Sequence, residues 1–219
     1  MRLTPVLLLF ISELIQAHPI ELENAATAIQ GLLTDIRYAG NDNFLGRPVD
    51  GYQAPACLLS RDSLQALTQA QEHAQKIGLT LLVYDCYRPQ RAVDDFIRWI
   101  QSDVPQTMKE RYYPNVKKED LIAQGYIASQ SGHSRGSAID LTLADARTGE
   151  PIDMGTSWDF FDPSSHTDSV AVSNDARQNR RALKRMMEAA GFRAYYAEWW
   201  HFTLIDEPNP NIYFNRVIK

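Results

Sequence analysis

Long apolar runs are missing from this chain. No stretch of its 219 residues approaches the roughly 18 consecutive apolar positions that a membrane-spanning helix needs. A long basic run is missing too, and the formal net charge is −5, which argues against nucleic acid as a partner. No internal repeat, low-complexity tract or linker-like stretch divides the sequence. One domain with one substantial core is therefore expected, near the upper size for such a unit. Cysteine is scarce: Cys57 and Cys86 are the only two. An even count permits one disulfide, but two inert buried thiols fit the sequence equally well.

What is present begins with "MRLTPVLLLFISELIQAHP". Arg2, the apolar run from Val6 to Ile11, and Ala17 before Pro19 outline a short secretory signal. The expectation is a signal over residues 1–17, a folded domain over 18–219, and a periplasmic or secreted protein without stable membrane insertion after cleavage. The alternative is that Glu13, Leu14 and Ile15 extend an amphipathic helix of a cytoplasmic protein.

Three helices are legible. One spans about 61–77, with Leu64, Leu67, Ala70, Ala74 and Ile77 on one face, Ser60 as cap and Gly78 as stop. A second opens at Pro89 and places Val93, Phe96, Ile97 and Ile100 at helical spacing. The third runs over about 174–190, from a Ser173 cap to Gly191. Between them lie the strand-like stretches "LTLLVYDCY" (79–87), "SAIDLTL" (137–143) and "AEWWHFTL" (197–204). In the middle one, Ile139, Leu141 and Leu143 alternate with Ala138, Asp140 and Thr142. This predicts a single α+β domain with a small, mostly antiparallel sheet flanked by helices. Residues 41–52 read as loop or short hairpin, and 108–120 as a solvated charged segment.

"EWWHF", 198–202, puts a carboxylate and an imidazole among aromatics, a costly arrangement unless they are paired or bind something. In "SGHSRGSAIDLTL", 131–143, a turn feeding a strand can fold His133 back beside Asp140. With His201 these make two imidazoles and one carboxylate, a normal protein contribution to a catalytic zinc with an open fourth position. Glu198 is the candidate base, which requires a bend, because positions three apart on a regular strand face opposite ways. Trp199 and Trp200 would raise its affinity for a proton. Arg88, in "YDCYRPQRA", ends an apolar strand. It is either the ion-pair partner of Asp85 or a fixed charge opposite an oxyanion. A non-haem iron site uses the same ligand types, but leaves Glu198 and Arg88 without work. A non-catalytic zinc-binding domain would likewise have no use for them.

Taken together, "SGHSRGSAIDLTL", "EWWHF" and "YDCYRPQRA" resemble the D-alanyl-D-alanine dipeptidase family, over about 38–202. These zinc peptidases are related to D,D-carboxypeptidases that share a fold with the hedgehog signalling domain. The resemblance implies one zinc per chain on His133, Asp140 and His201, with Glu198 as catalytic acid/base and Arg88 stabilising the oxyanion. It further implies that Ser131 contacts substrate, that Asp159 in "SWDFFD" meets the substrate amine with Tyr38 nearby, and that Asp85 orients Arg88. The implied activity is hydrolysis of D-Ala-D-Ala in peptidoglycan peptide turnover or D-alanine scavenging. The alternative is a D,D-carboxypeptidase acting on stem peptides.

Overall fold

A computed structural model describes residues 21–219, so the expected signal over 1–17 lies outside the described residues. In chain order the elements are β1 (Leu22–Asn24), α1 (Ala25–Ala28), β2 (Leu33–Thr34), β3 (Leu58–Ser60), α2 (Arg61–Gln75), β4 (Leu79–Asp85) and α3 (Gln90–Gln101). There follow α4 (Lys109–Tyr112), β5 (Ala138–Asp145), α5 (Asn174–Ala189), β6 (Phe192–Ala194) and β7 (His201–Leu204). β1 pairs with β3, and the other five strands form one sheet in the order β2-β4-β5-β7-β6. Among the strand pairs of this sheet in the described residues, β2–β4 is parallel and the others are antiparallel. This is the expected α+β domain with a mostly antiparallel sheet.

Local chemistry sets the helix ends. Ser60 and Ser173 accept the backbone N–H groups of Ser63 and Ala176, each satisfying a donor that the first turn leaves unpaired. Gly78 and Gly191 follow α2 and α5 at φ +77° and +92°, where a side chain would be strained. Pro89 is the cap residue of α3 and not its first helical residue. α2 and α5 pack on each other and against β4 and β6. Leu67, Ala70, Ala74, Leu183 and Met187 are fully buried there.

The sheet register builds the site. Asp140 on β5 lies opposite Asp85 on β4 and His201 on β7, one row across three strands. Directly opposed residues of an antiparallel pair project to the same face. A register shift between Val83 and Asp85 is what brings Asp85, in place of Tyr84, opposite Asp140. Cys57 and Cys86 form a disulfide, joining the residue just before β3 to the residue just beyond β4. Closing that loop contributes roughly 3–4 kcal/mol in the chain-entropy picture.

Besides Pro89, three expectations need correction. Ile77, expected on the inner face of the first helix, lies beyond the end of α2 and is exposed. The strand predicted from Ala197 begins at His201, because residues 197–200 form turns. The segment 108–120 is not a solvated face: Tyr112, Tyr113, Val116 and Lys118 are buried. Lys118 and Lys109 turn their ammonium groups onto backbone carbonyls of Ser102 and of Tyr113 and Val116. The charged letters thus hide apolar stems and aromatic rings that fill the core. Residues 41–52 are loop, with buried Asn43 holding the carbonyls of Arg37, Gly40 and Arg47.

Candidate active site

His133 sits in a short 3-10 turn, Gly132–Arg135, between the Ser131 hydroxyl, which accepts the His133 N–H at 3.2 Å, and Gly136 at φ +72°. That turn folds the imidazole back over β5. His133 Nε2 lies 3.1 Å from His201 Nδ1 and 3.2 Å from Asp140 Oδ1, and His201 Nδ1 lies 3.0 Å from the same oxygen. Three donors in a near-equilateral triangle suit a small cation, since ligands at zinc distances on a tetrahedron are about 3.3 Å apart. Without a cation, two imidazole nitrogens and a carboxylate oxygen face one another with few protons to share. The remaining ring nitrogens are already engaged: His133 Nδ1 donates to the Cys86 carbonyl at 2.6 Å and His201 Nε2 reaches Thr203 Oγ1 at 3.3 Å. The carbonyl can only accept, which fixes the His133 tautomer with its lone pair on Nε2, while the Thr203 hydroxyl, able to accept from His201 Nε2, is compatible with a lone pair on His201 Nδ1; both inward nitrogens then fit a metal. Burial lowers the proton affinity of His201 against the attraction of Asp140, favouring the neutral, ligating form. Asp140 is itself buried, yet the two imidazoles hold its carboxyl far below the usual carboxylate range.

The second oxygen of Asp140 accepts the indole N–H of Trp158 at 3.3 Å, which orients the carboxylate. Arg88 approaches the same oxygen at 3.5 Å and is bound by Asp85 through Nε at 2.9 Å and Nη2 at 2.8 Å. Tyr52 donates to the other oxygen of Asp85 at 2.6 Å. Arg88 therefore pairs with Asp85, the first of its two sequence readings, and it also lines the cavity.

Glu198 stands where the chain turns before β7; its carbonyl accepts the His201 N–H at 3.3 Å. The required bend exists, and it puts Glu198 Oε2 3.9 Å from His201 Nδ1. Burial raises its carboxyl well above the ordinary value, and Asp140 and Asp159 add to the rise. The neighbouring indoles are not the cavity wall: Trp199 and Trp200 are core residues, and Trp199 donates to Thr156. Asp159 is buried at φ +57°, a conformation rare outside glycine, and accepts the Tyr38 hydroxyl at 2.6 Å. Burial and Asp140 push its carboxyl well up.

Glu198, Arg88, Asp159, Tyr38, Ser131 and the three metal-type donors all line one cavity of about 270 Å³. Asp85 stands behind it. His166, in its loop, and the exposed His73 are outside the donor cluster. Trp158, Tyr52 and the Cys86 carbonyl were not picked out from the sequence. A buried indole or phenol needs a partner, so "SWDFFD" carried a signal for Trp158; a backbone carbonyl carries none.

A family model for peptidase M15, described as D-ala-D-ala dipeptidase, matches residues 19–219. The chain is 48% identical over 191 residues to the D-alanyl-D-alanine dipeptidase of Enterococcus faecalis, covering 87% of this chain and 95% of that protein. The Streptomyces coelicolor protein of the same name is 46% identical over 187 residues, covering 85% and 93%. That of Escherichia coli is 35% identical over 184 residues, covering 84% of each.

Proposed function

The chain belongs to the peptidase M15 family of D-ala-D-ala dipeptidases, and from that premise we propose that it hydrolyses D-Ala-D-Ala to two D-alanines, with a zinc ion on His133, Asp140 and His201. The observation carrying this reading is the convergence of three metal-type donors, a raised glutamate and an enclosed aspartate on one small cavity. When bound, zinc supplies Lewis acidity at the scissile carbonyl.

The protein's own groups divide the remaining work. Glu198, buried and with high proton affinity, takes a proton from the attacking water and delivers it to the departing amine nitrogen. Arg88 opposes the negative charge that develops on the carbonyl oxygen, and Asp85 with Tyr52 keeps its guanidinium in place. Ser131 contacts the substrate at the cavity edge. Asp159, with Tyr38 closing over it, receives the substrate ammonium group; a cation there offsets the burial that disfavours the carboxylate.

That enclosure favours a free dipeptide over the stem peptides of a D,D-carboxypeptidase, which would share the metal site. The cellular role proposed with this activity is turnover of peptidoglycan peptides or D-alanine scavenging. The Cys57–Cys86 bond and the N-terminal signal pattern support export to an oxidising compartment, with a mature chain starting near His18 on intact-mass analysis. The activity test is incubation of zinc-loaded protein with D-Ala-D-Ala and L-Ala-L-Ala, with and without chelator. Release of D-alanine from D-Ala-D-Ala, abolished by chelation, is expected, with little or no release of L-alanine from the L,L isomer. D-Ala-D-Ala left intact by fully loaded protein contradicts the proposal.

A further inference from the structure

The disulfide and the metal-type cluster meet at one backbone atom. The Cys86 carbonyl accepts the Nδ1–H of His133 at 2.6 Å, the bond that turns Nε2 toward Asp140 and His201. The β4–β5 ladder ends at Asp85, so Cys86 lies one residue beyond the part of the chain that the sheet holds. Beyond Asp85 the tie is to β3: the Cys57–Cys86 bond, and the Tyr87 N–H on the Leu58 carbonyl at 2.9 Å. β3 also reaches the His133 turn, since Ser60 N–H donates to the Gly136 carbonyl at 3.0 Å. On the far side of Cys86, the Arg88 N–H donates to the His133 carbonyl at 3.2 Å. Residues 85–88 thus place Arg88 through Asp85 and His133 through Cys86, and both cysteines are buried.

Resting on the reading of His133 as a metal ligand, we propose that the Cys57–Cys86 disulfide is a positioning element of the metal centre: it fixes the carbonyl that orients His133, so that full metal affinity belongs to the oxidised protein. A partner that orients a ligating histidine typically changes metal affinity 10–100-fold when lost. Opening the disulfide keeps the carbonyl as an acceptor but loosens its position, so a loss near the lower end is expected. Reduction by a dithiol adds two electrons and two protons to the cystine, giving two thiols and converting the dithiol to its own disulfide.

The test compares oxidised wild type with the double variant Cys57→Ser/Cys86→Ser and with Leu183→Ala, a core truncation in α5 away from residues 86 and 133. Zinc affinity is read by competition with a chromophoric chelator, at a temperature where circular dichroism shows each protein folded. Should the serine pair not fold, Cys57→Ala/Cys86→Val keeps the site apolar and serves instead. The expected result is zinc affinity about 10-fold weaker in the cysteine variant, with wild-type affinity in Leu183→Ala despite its lower melting temperature. Equal affinity in folded wild type and cysteine variant, or an equal loss in Leu183→Ala, overturns the inference. A wild type that takes up no zinc overturns the ligand reading itself, and the inference with it.

Discussion

Glu198 and Asp159 are both buried carboxylates on one cavity, both with raised proton affinity, yet they are assigned different work. Position separates them. Glu198 lies 3.9 Å from a metal-type donor, while Asp159 is covered by the Tyr38 hydroxyl. Replacing Glu198 by Gln keeps shape and removes the proton carrier, so metal uptake should persist while kcat falls roughly 10²–10⁴-fold. His201→Ala should fail in the opposite order, losing bound metal first, as metal analysis after gel filtration would show. Normal turnover in Glu198→Gln would assign the base to another group. At this scale the sequence was most legible, because histidines and carboxylates among aromatics are expensive and so conspicuous. The partners that orient them were not, since Trp158, Tyr52 and a backbone carbonyl look like ordinary core and chain until the sheet register brings them in.

Elements hold these residues in place, and the loop between β5 and α5 shows how. Arg180 on α5 is buried, and its guanidinium binds the carbonyls of Met154, Ser164 and His166 and the hydroxyl of Thr156. Burial without a contacting carboxylate lowers its pKa to about 10. The clamp grips both flanks of the segment carrying Trp158 and Asp159. Arg180→Met leaves those carbonyls unsatisfied, and a stability loss of about 2–4 kcal/mol is expected in urea unfolding. A second clamp joins α3 to the loop at 47–50. Asp95 is buried, which disfavours its charge, but Arg47 at 2.7 Å and the Asp50 N–H at 3.1 Å outweigh this and lower its pKa. A carboxyl lowered in the folded state stabilises the fold fully above its unfolded pKa, about 3.9, and loses that contribution as pH falls through the folded value. Asp95→Asn should therefore be less stable than wild type near neutrality, with the gap closing in acid. A gap independent of pH would mean that Asp95 contributes only by packing. The helices were readable in the sequence because their apolar spacing and caps are local; Arg180 was not, because a cation inside the core runs against composition rules and is satisfied only by distant carbonyls.

For the whole molecule, one α+β domain with a mostly antiparallel sheet was legible from alternating strands and periodic helices, while the order β2-β4-β5-β7-β6 was not. Strand order depends on pairings between distant residues, and short strands such as Leu33–Thr34 carry almost no pattern of their own. The same long-range closure makes the cavity, which gathers side chains from Tyr38 to His201 around a space fit for a small substrate. In the proposed reading, recognition of a free amino group by Asp159 and Tyr38 inside that closure would separate a dipeptidase from a wall carboxypeptidase with the same metal ligands. The most direct measurement is the ratio of kcat/KM for D-Ala-D-Ala to that for N-acetyl-D-Ala-D-Ala, which lacks the ammonium charge and adds bulk at the closed end. Leaving one member of an enclosed charge pair alone costs about 3–5 kcal/mol, so a ratio of at least about 10² is expected, shrinking in Asp159→Ala through loss on the free dipeptide. Comparable cleavage of the two substrates by the unmodified enzyme would contradict the dipeptidase reading and favour the carboxypeptidase.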